Sequence, residues 1–121
     1  MRVLAFEDGA DIALLLGQSG VEFSNITFEQ RWTTENAVSI IQNFKPDVLL
    51  LDHYIPPICG LDVLRAINEA VLHNENHRPR TIVGMSSMAV ANQKMLEEGA
   101  DFGIIKAMVG TLPFWPRNHS S

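Results

Sequence analysis

With one cysteine in 121 residues, Cys59, the chain cannot close an internal disulfide or build a cysteine-based zinc site, and a lone thiol fits a reducing, cytoplasmic compartment. Basic residues are also few: 9 Lys and Arg are outnumbered by 14 Asp and Glu, leaving a net charge of −5. That balance argues against nucleic-acid binding by phosphate neutralisation, which needs a basic face. No apolar run approaches the ~20 residues that span a bilayer, and the opening MRVLAFED turns acidic at Glu7, too soon for a signal peptide. Neither a Gly-x-Gly-x-x-Gly loop nor a P-loop is present, which counts against nucleotide binding. Internal repeats, low-complexity tracts and linkers are missing too. What remains is a globular composition, 46% hydrophobic and 19% charged. A chain of this length suits one domain. It would fold from roughly 20,000 Å² of extended surface to roughly 6,500 Å², enough for a core without staples.

The apolar residues follow two periods. Val3–Phe6, Val48–Leu51 and Ile82–Met85 are short continuous runs, the pattern of strands buried on both faces of a parallel sheet. Phe102–Ile105 reads as another, weakened by Gly103, while Asn25–Trp32 alternates Ile26, Phe28, Gln30 and Trp32 and reads as a strand near the sheet edge. Helical patterns lie between. The first holds Ile12, Leu15 and Leu16; the second holds Ala37, Ile40, Ile41 and Phe44, capped at Thr33/Thr34 and stopped by Lys45-Pro46. Leu61, Leu64, Ile67 and Val71 follow Gly60, and Met88, Ala91, Met95 and Leu96 form a shorter helix closed by Gly99. Strict strand–helix alternation predicts an open, doubly wound α/β sheet. After the last strand, Gly110, Pro113 and Pro116 leave no place for a three-turn helix, although such a sheet needs both faces covered. The tail, with Leu112, Phe114 and Trp115 as its large apolar groups, is expected to pack loosely there or to leave the face to a partner or a second copy.

Ligands of open α/β sheets sit at the carboxyl ends of the strands. Those ends carry Glu7 and Asp8 after the first strand, Asp52 after the third, Ser86-Ser87 after the fourth and Lys106 after the fifth. Clustered carboxylates raise one another's pKa unless a cation sits among them, and hard oxygen ligands with an open coordination shell favour Mg²⁺. A cation, a lysine and a hydroxyl around one carboxylate make a phosphoryl-transfer site.

These residues, in this order, resemble the receiver domain of two-component response regulators, of the chemotaxis-regulator type, over about residues 2 to 106. The acidic pair Glu7-Asp8 follows a hydrophobic strand; Asp52 has Pro56 four residues beyond it and Gly60 eight beyond; and Gly99-Ala100-Asp101 leads to Lys106. The resemblance implies a flavodoxin-like five-stranded parallel sheet of order 2-1-3-4-5, and Gly110, Pro113 and Pro116 make the last helix short or absent where the family normally has a full one. It implies one receiver domain over 1–121, with a core over 2–106 and an irregular tail over 107–121. Asp52 would be the phosphoacceptor, taking its phosphoryl group from a histidine kinase or phosphotransfer protein. Mg²⁺ would be held by Asp8, Asp52 and the backbone carbonyl of Tyr54, with Glu7 bound directly or through water. Lys106 would pair with Asp52 or the phosphoryl oxygens, and Ser86, or else Ser87, would hydrogen-bond the phosphoryl group. Such a protein is a signalling phosphoacceptor that catalyses only its own phosphorylation and dephosphorylation. It would stand alone, need no nucleic acid or membrane, and signal by contact with a downstream protein, a homodimer through the face lacking the last helix being one form of that contact.

Three departures bear on output, and two flanking positions bear on lifetime. An aromatic switch residue belongs two or three positions before the lysine, but Gly103 stands three before and Phe102 four before, so coupling is absent or moved to Phe102. Ala107 replaces the proline after the lysine, and the stretch from Ser86 to Gly99 is about two residues short. Tyr54 and Met88, each two residues beyond a site residue, are bulky where the family controls water access, which predicts slow loss of the phosphoryl group. Plainer readings stand beside these: Asp52 as a strand-end cap, Glu7-Asp8 as a helix cap, Lys106 as a solvated strand end and His53 as a rim residue lending its backbone. His73 and His77 are read as part of a polar stretch and not a metal pair, and Cys59 as a buried or semi-buried thiol with no redox task. The competing functions are a pseudo-receiver working as a phosphorylation-independent interaction module and, more remotely, a small phosphatase-like hydrolase.

Overall fold

A computed structural model describes residues 1–75 and 77–117. The chain alternates β1 (Arg2–Phe6), α1 (Ile12–Gln18), β2 (Thr27–Arg31), α2 (Ala37–Phe44), β3 (Val48–Leu51), α3 (Gly60–Leu72), β4 (Thr81–Gly84), α4 (Ala89–Glu97) and β5 (Phe102–Gly103), then turns through a 3₁₀ helix, Lys106–Thr111. The strands form one parallel sheet of order β2-β1-β3-β4-β5. This is the expected doubly wound, flavodoxin-like architecture. β2 lies at the edge, and its alternating residues are only half-buried. β3 is buried along its whole length, as a continuous apolar run in a covered parallel sheet must be.

Alternate strand residues divide the core in two. Leu4, Phe6, Leu49, Leu51 and Ile82 face α2, α3 and α4, packing on Ile41, Leu64, Ile67 and Met95. Val3, Ala5, Val48, Leu50 and Val83 face α1 and the C-terminal tail, packing on Ile12, Leu16, Val109, Leu112 and Trp115. The expectation of a loosely packed tail is therefore corrected. Trp115 is 4% exposed and its indole N–H donates to the carbonyl of Val109 at 2.9 Å. Phe114 packs on Phe102, with ring centroids 5.6 Å apart. Arg117 donates to the carbonyls of Ser19, Gly110 and Leu112, tying the tail to the end of α1. Proline and glycine forbid a long helix here, but three apolar side chains and one guanidinium cover the face without one.

Two local expectations also change. The cap of α2 is Asn36, in the left-handed region at φ 58° and without a side-chain cap bond, and not Thr33/Thr34. Thr34 turns inward: its hydroxyl donates to the carbonyl of Ile58 and accepts from the Ile58 N–H, both at 2.7 Å. In α4, Met88 is the cap residue and is 55% exposed, and Leu96 is 38% exposed; the buried face is Ala91, Asn92 and Met95.

Candidate functional site

The three loops that leave β1, β3 and β4 meet above the sheet, and each is held by a polar side chain from elsewhere in the fold. On the first loop, the amide of Gln30 donates to the carbonyls of Glu7 and Ala10 and accepts from the Ile12 N–H, fixing the turn into α1. On the second, Thr34 holds Ile58, and its N–H donates to the carbonyl of Pro56. On the third, Asn92 accepts from the Ser86 N–H at 2.7 Å and donates to the carbonyls of Ser86 and Ile104 at 2.8 and 2.9 Å. From the sequence Thr34 reads as a helix cap and Gln30 as an edge-strand residue, and Asn92 is given no role. A signal was present for two of them: Gln30 ends the inward-facing series Ile26 and Phe28, and Asn92 falls between Ala91 and Met95 on a buried face. A polar group at a core position requires a partner.

Gly60 fits the same frame. Its N–H donates to the carbonyl of His53, and a Cβ at this position would collide with the backbone of Asp52 and His53. The first turn of α3 can press against the strand end only because residue 60 has no side chain.

Inside this frame Glu7, Asp8 and Asp52 bring one carboxylate oxygen each within 4.8 Å of one another. Glu7 and Asp52 are buried, at 1% and 3% exposure, and Asp8 faces solvent. Oε2 of Glu7 accepts from the N–H groups of Gly9 and Ala10 at 2.9 and 2.7 Å. Its Oε1 is buried without a hydrogen-bond donor of good geometry, its partner being the ammonium of Lys106 at 2.8 Å. The same ammonium lies 3.6 Å from Oδ2 of Asp52. The structure thus brings together Glu7, Asp8, Asp52 and Lys106, but it gives the lysine to Glu7 first.

Protonation follows from this geometry. Burial, then the hydrogen bond and the charge of Glu7, push the Asp52 carboxyl up to about 6 against the opposing pull of Lys106. Burial acts on Glu7 in the same upward direction, but Lys106, the amides of Ala10 and Gly9, and the hydrogen bond with Asp52 outweigh it and hold Glu7 below the ordinary range. Burial lowers Lys106, yet Glu7 and Asp52 together raise it above its usual value. Two buried carboxyls beside one ammonium therefore repel each other, and the proton affinity raised is that of Asp52.

Ser86 is fully buried, with its hydroxyl accepting from the Met88 N–H at 3.1 Å, whereas Ser87 is exposed. His53 contributes its carbonyl to Ile55 and Gly60, and its Nδ1 accepts from the Leu61 N–H at 3.4 Å. Tyr54 is 60% exposed, edge-on to the His53 ring at 4.7 Å. Phe102 packs against Phe114 on the α1 side of the sheet, so it does not take over the role of the missing switch aromatic near Ser86. His73 pairs with Glu69 at the end of α3, and among the described residues Glu7, Asp8 and Asp52 are the group of three that could hold a metal. Cys59 is a free, half-buried thiol before α3.

No family model matches the chain, and no curated protein matches it. Solved structures do. The chain is similar to the signal receiver domain of a protein described as a Luxo repressor from Vibrio parahaemolyticus, at TM-score 0.68 and 25% identity, covering 87% of this chain and 77% of that one. It is similar to the response regulator domain of Thermotoga maritima CheB, at TM-score 0.68 and 22% identity over 94% and 83% of the two chains. A CheY-like receiver domain from Methanospirillum hungatei gives TM-score 0.63 and 22% identity over 87% and 80%. The fold is that of the response-regulator receiver domains.

Proposed function

We propose that the chain is a response-regulator receiver that accepts a phosphoryl group on Asp52 and signals by protein contact. The observation that carries this reading is the placement of Asp52: a buried carboxyl at the end of the central strand, with Glu7 and Asp8 within 4.8 Å and the Lys106 ammonium at 3.6 Å. The carboxylate cluster is also a fitting cation site. Its donors are hard oxygens, and one buried oxygen, Oε1 of Glu7, is served by an ion pair alone. Asp8, Asp52 and the carbonyl of Tyr54 would hold Mg²⁺, with Glu7 bound directly or through a water. When bound, the cation supplies charge neutralisation on the phosphoryl oxygens.

The chain's own groups account for the rest. Asp52, once deprotonated, attacks the phosphorus of a phosphohistidine; the P–N bond breaks and an acyl phosphate forms. Lys106 shifts from Glu7 towards the added phosphoryl charge, and Ser86, whose oxygen already accepts from Met88, has its proton free to donate. The donor is a histidine kinase or phosphotransfer protein, and the setting is cytoplasmic. The product carries about −1.5 to −2 charge in a buried site, enough to bias a two-state surface.

The test is incubation with Mg²⁺ and acetyl phosphate, read by phosphate-affinity electrophoresis. A shifted band that is lost in Asp52→Asn supports the reading. An absent band, or one that persists in Asp52→Asn, overturns it and leaves the phosphorylation-independent interaction module as the better account.

A further inference from the structure

We propose that Asn92 is a positioning residue that carries the arrival of a phosphoryl group at the site into α4 and the end of β5. The inference rests on the phosphoacceptor reading and goes beyond it. Asn92 is 4% exposed on the inner face of α4, and its amide holds Ser86 from both sides of the peptide, accepting from the Ser86 N–H at 2.7 Å and donating to the Ser86 carbonyl at 2.8 Å. Its second N–H donates to the carbonyl of Ile104 at 2.9 Å, two residues before Lys106. One rigid, planar amide thus spans the hydroxyl loop, the helix and the strand that delivers the lysine.

Among the described residues, the side chains beside it do not bridge loop, helix and strand together. Gly103 has none, and a Cβ there would stand 3.0 Å from the carbonyl oxygen of Asn92 and 3.1 Å from Leu96, so the β5 backbone lies directly against α4. Phe102 is committed to Phe114 on the other face. The hydroxyl of Ser86 accepts from the N–H of Met88, the cap of α4, which adds a second link from the loop into the helix. If the Ser86 backbone moves towards a phosphoryl group on Asp52, two charge-free but fully buried hydrogen bonds oblige the Asn92 amide to move with it. The third bond passes the displacement to Ile104. A satisfied buried polar network is stiff because breaking any one bond leaves a buried group unpaired.

The experiment compares two-dimensional ¹H–¹⁵N spectra of the full chain before and after treatment with Mg²⁺ and acetyl phosphate, with intact mass reporting the label. In the wild type, the side-chain NH₂ signals of Asn92 and the amides of Val90–Leu96 and Ile104 are expected to shift with those of Ser86. In Asn92→Ala, and in Asn92→Leu, which keeps the volume, the mass label and the shifts at Ser86–Met88 remain while those in α4 and at Ile104 are lost. A lower melting temperature in both variants follows from any buried hydrogen-bonded residue and decides nothing by itself, which is why the spectra are the readout. Equal α4 shifts in the variants overturn the proposal, as do Asn92 side-chain signals that stay fixed in a labelled wild type. A wild type that takes no mass label overturns the phosphoacceptor reading first, and this inference with it.

Discussion

The ammonium of Lys106 rests on Glu7, at 2.8 Å from Oε1. Glu7 is almost wholly buried, and its other oxygen is already used by Gly9 and Ala10. The lysine therefore serves as the counter-ion of Glu7 before it serves Asp52. Lys106→Met should leave Oε1 of Glu7 buried without a partner and cost about 1–3 kcal/mol in a urea melt. The double variant Glu7→Gln/Lys106→Met removes the stranded charge and should recover more than half of that loss. Additive losses in the two changes would show that the pair does not couple.

The raised pKa of Asp52 predicts a definite sign for stability against pH. In the unfolded chain its carboxyl titrates near the ordinary value of about 3.9, and in the fold it holds its proton to about 6. Between those values the folded protein binds the extra proton, so the stability present at low pH is lost as pH rises through the window. The slope is bounded by one proton, about 1.4 kcal/mol per pH unit. Asp52→Asn cannot titrate and can still donate to Glu7. In chelator, its stability relative to wild type should grow from about pH 4 to about pH 6 and then level off. A gap that stays constant over that range would contradict the shared proton.

The tail predicts a large effect from a residue outside the site. Trp115 is buried against the sheet and hydrogen-bonded to Val109. Trp115→Ala should cost about 3–5 kcal/mol by opening a cavity over Leu112 and Val109. Trp115→Phe keeps most of the volume and loses the indole bond, for about 1 kcal/mol. A denaturant series on both variants checks this, and a loss below about 1 kcal/mol for Trp115→Ala would mean that the tail contributes little to the fold.

Strands and site carboxylates were legible in the sequence for related reasons. Val48–Leu51 is buried on both faces, so its apolar run is continuous, and its end places Asp52 on the rim. The polar clamps were not legible as such, because their partners are distant in the chain. A threonine just before a helix satisfies the local rule for a cap, but Thr34 bonds Ile58, 24 residues away. Gln30 likewise bonds the carbonyl of Glu7, 23 residues back. In the tail, Pro113 and Pro116 do exclude a long helix, yet packing needs buried area and not helical backbone.

Tyr54 and Met88 stand at the rim, 60% and 55% exposed, on the loops that leave β3 and β4. Their bulk, as expected from the sequence, should hinder the water that hydrolyses an acyl phosphate. Tyr54→Asn/Met88→Glu should lose the phosphoryl group several-fold faster than wild type after the donor is removed. Equal or faster loss in the wild type would sink this expectation.

The absence of an aromatic at position 103 has a steric cause that can be tested. β5 is only two residues long, and its Gly103 lies against the backbone of α4, where even a Cβ would be 3.0 Å from Asn92 O. Leu96 can rotate away, but the helix carbonyl cannot move without disturbing Asn92, whose amide holds Ser86 and Ile104. Gly103→Tyr therefore cannot install a switch at no cost. It should push α4 off β5, cost about 1–3 kcal/mol through overpacking, and displace the amide signals of Ser86 and Ile104 in the unphosphorylated protein. Gly103→Ala should do the same to a smaller degree, since the clash begins at Cβ. A Tyr variant as stable as wild type, with those two signals in place, would show that α4 has room to yield and that the close approach does not constrain position 103.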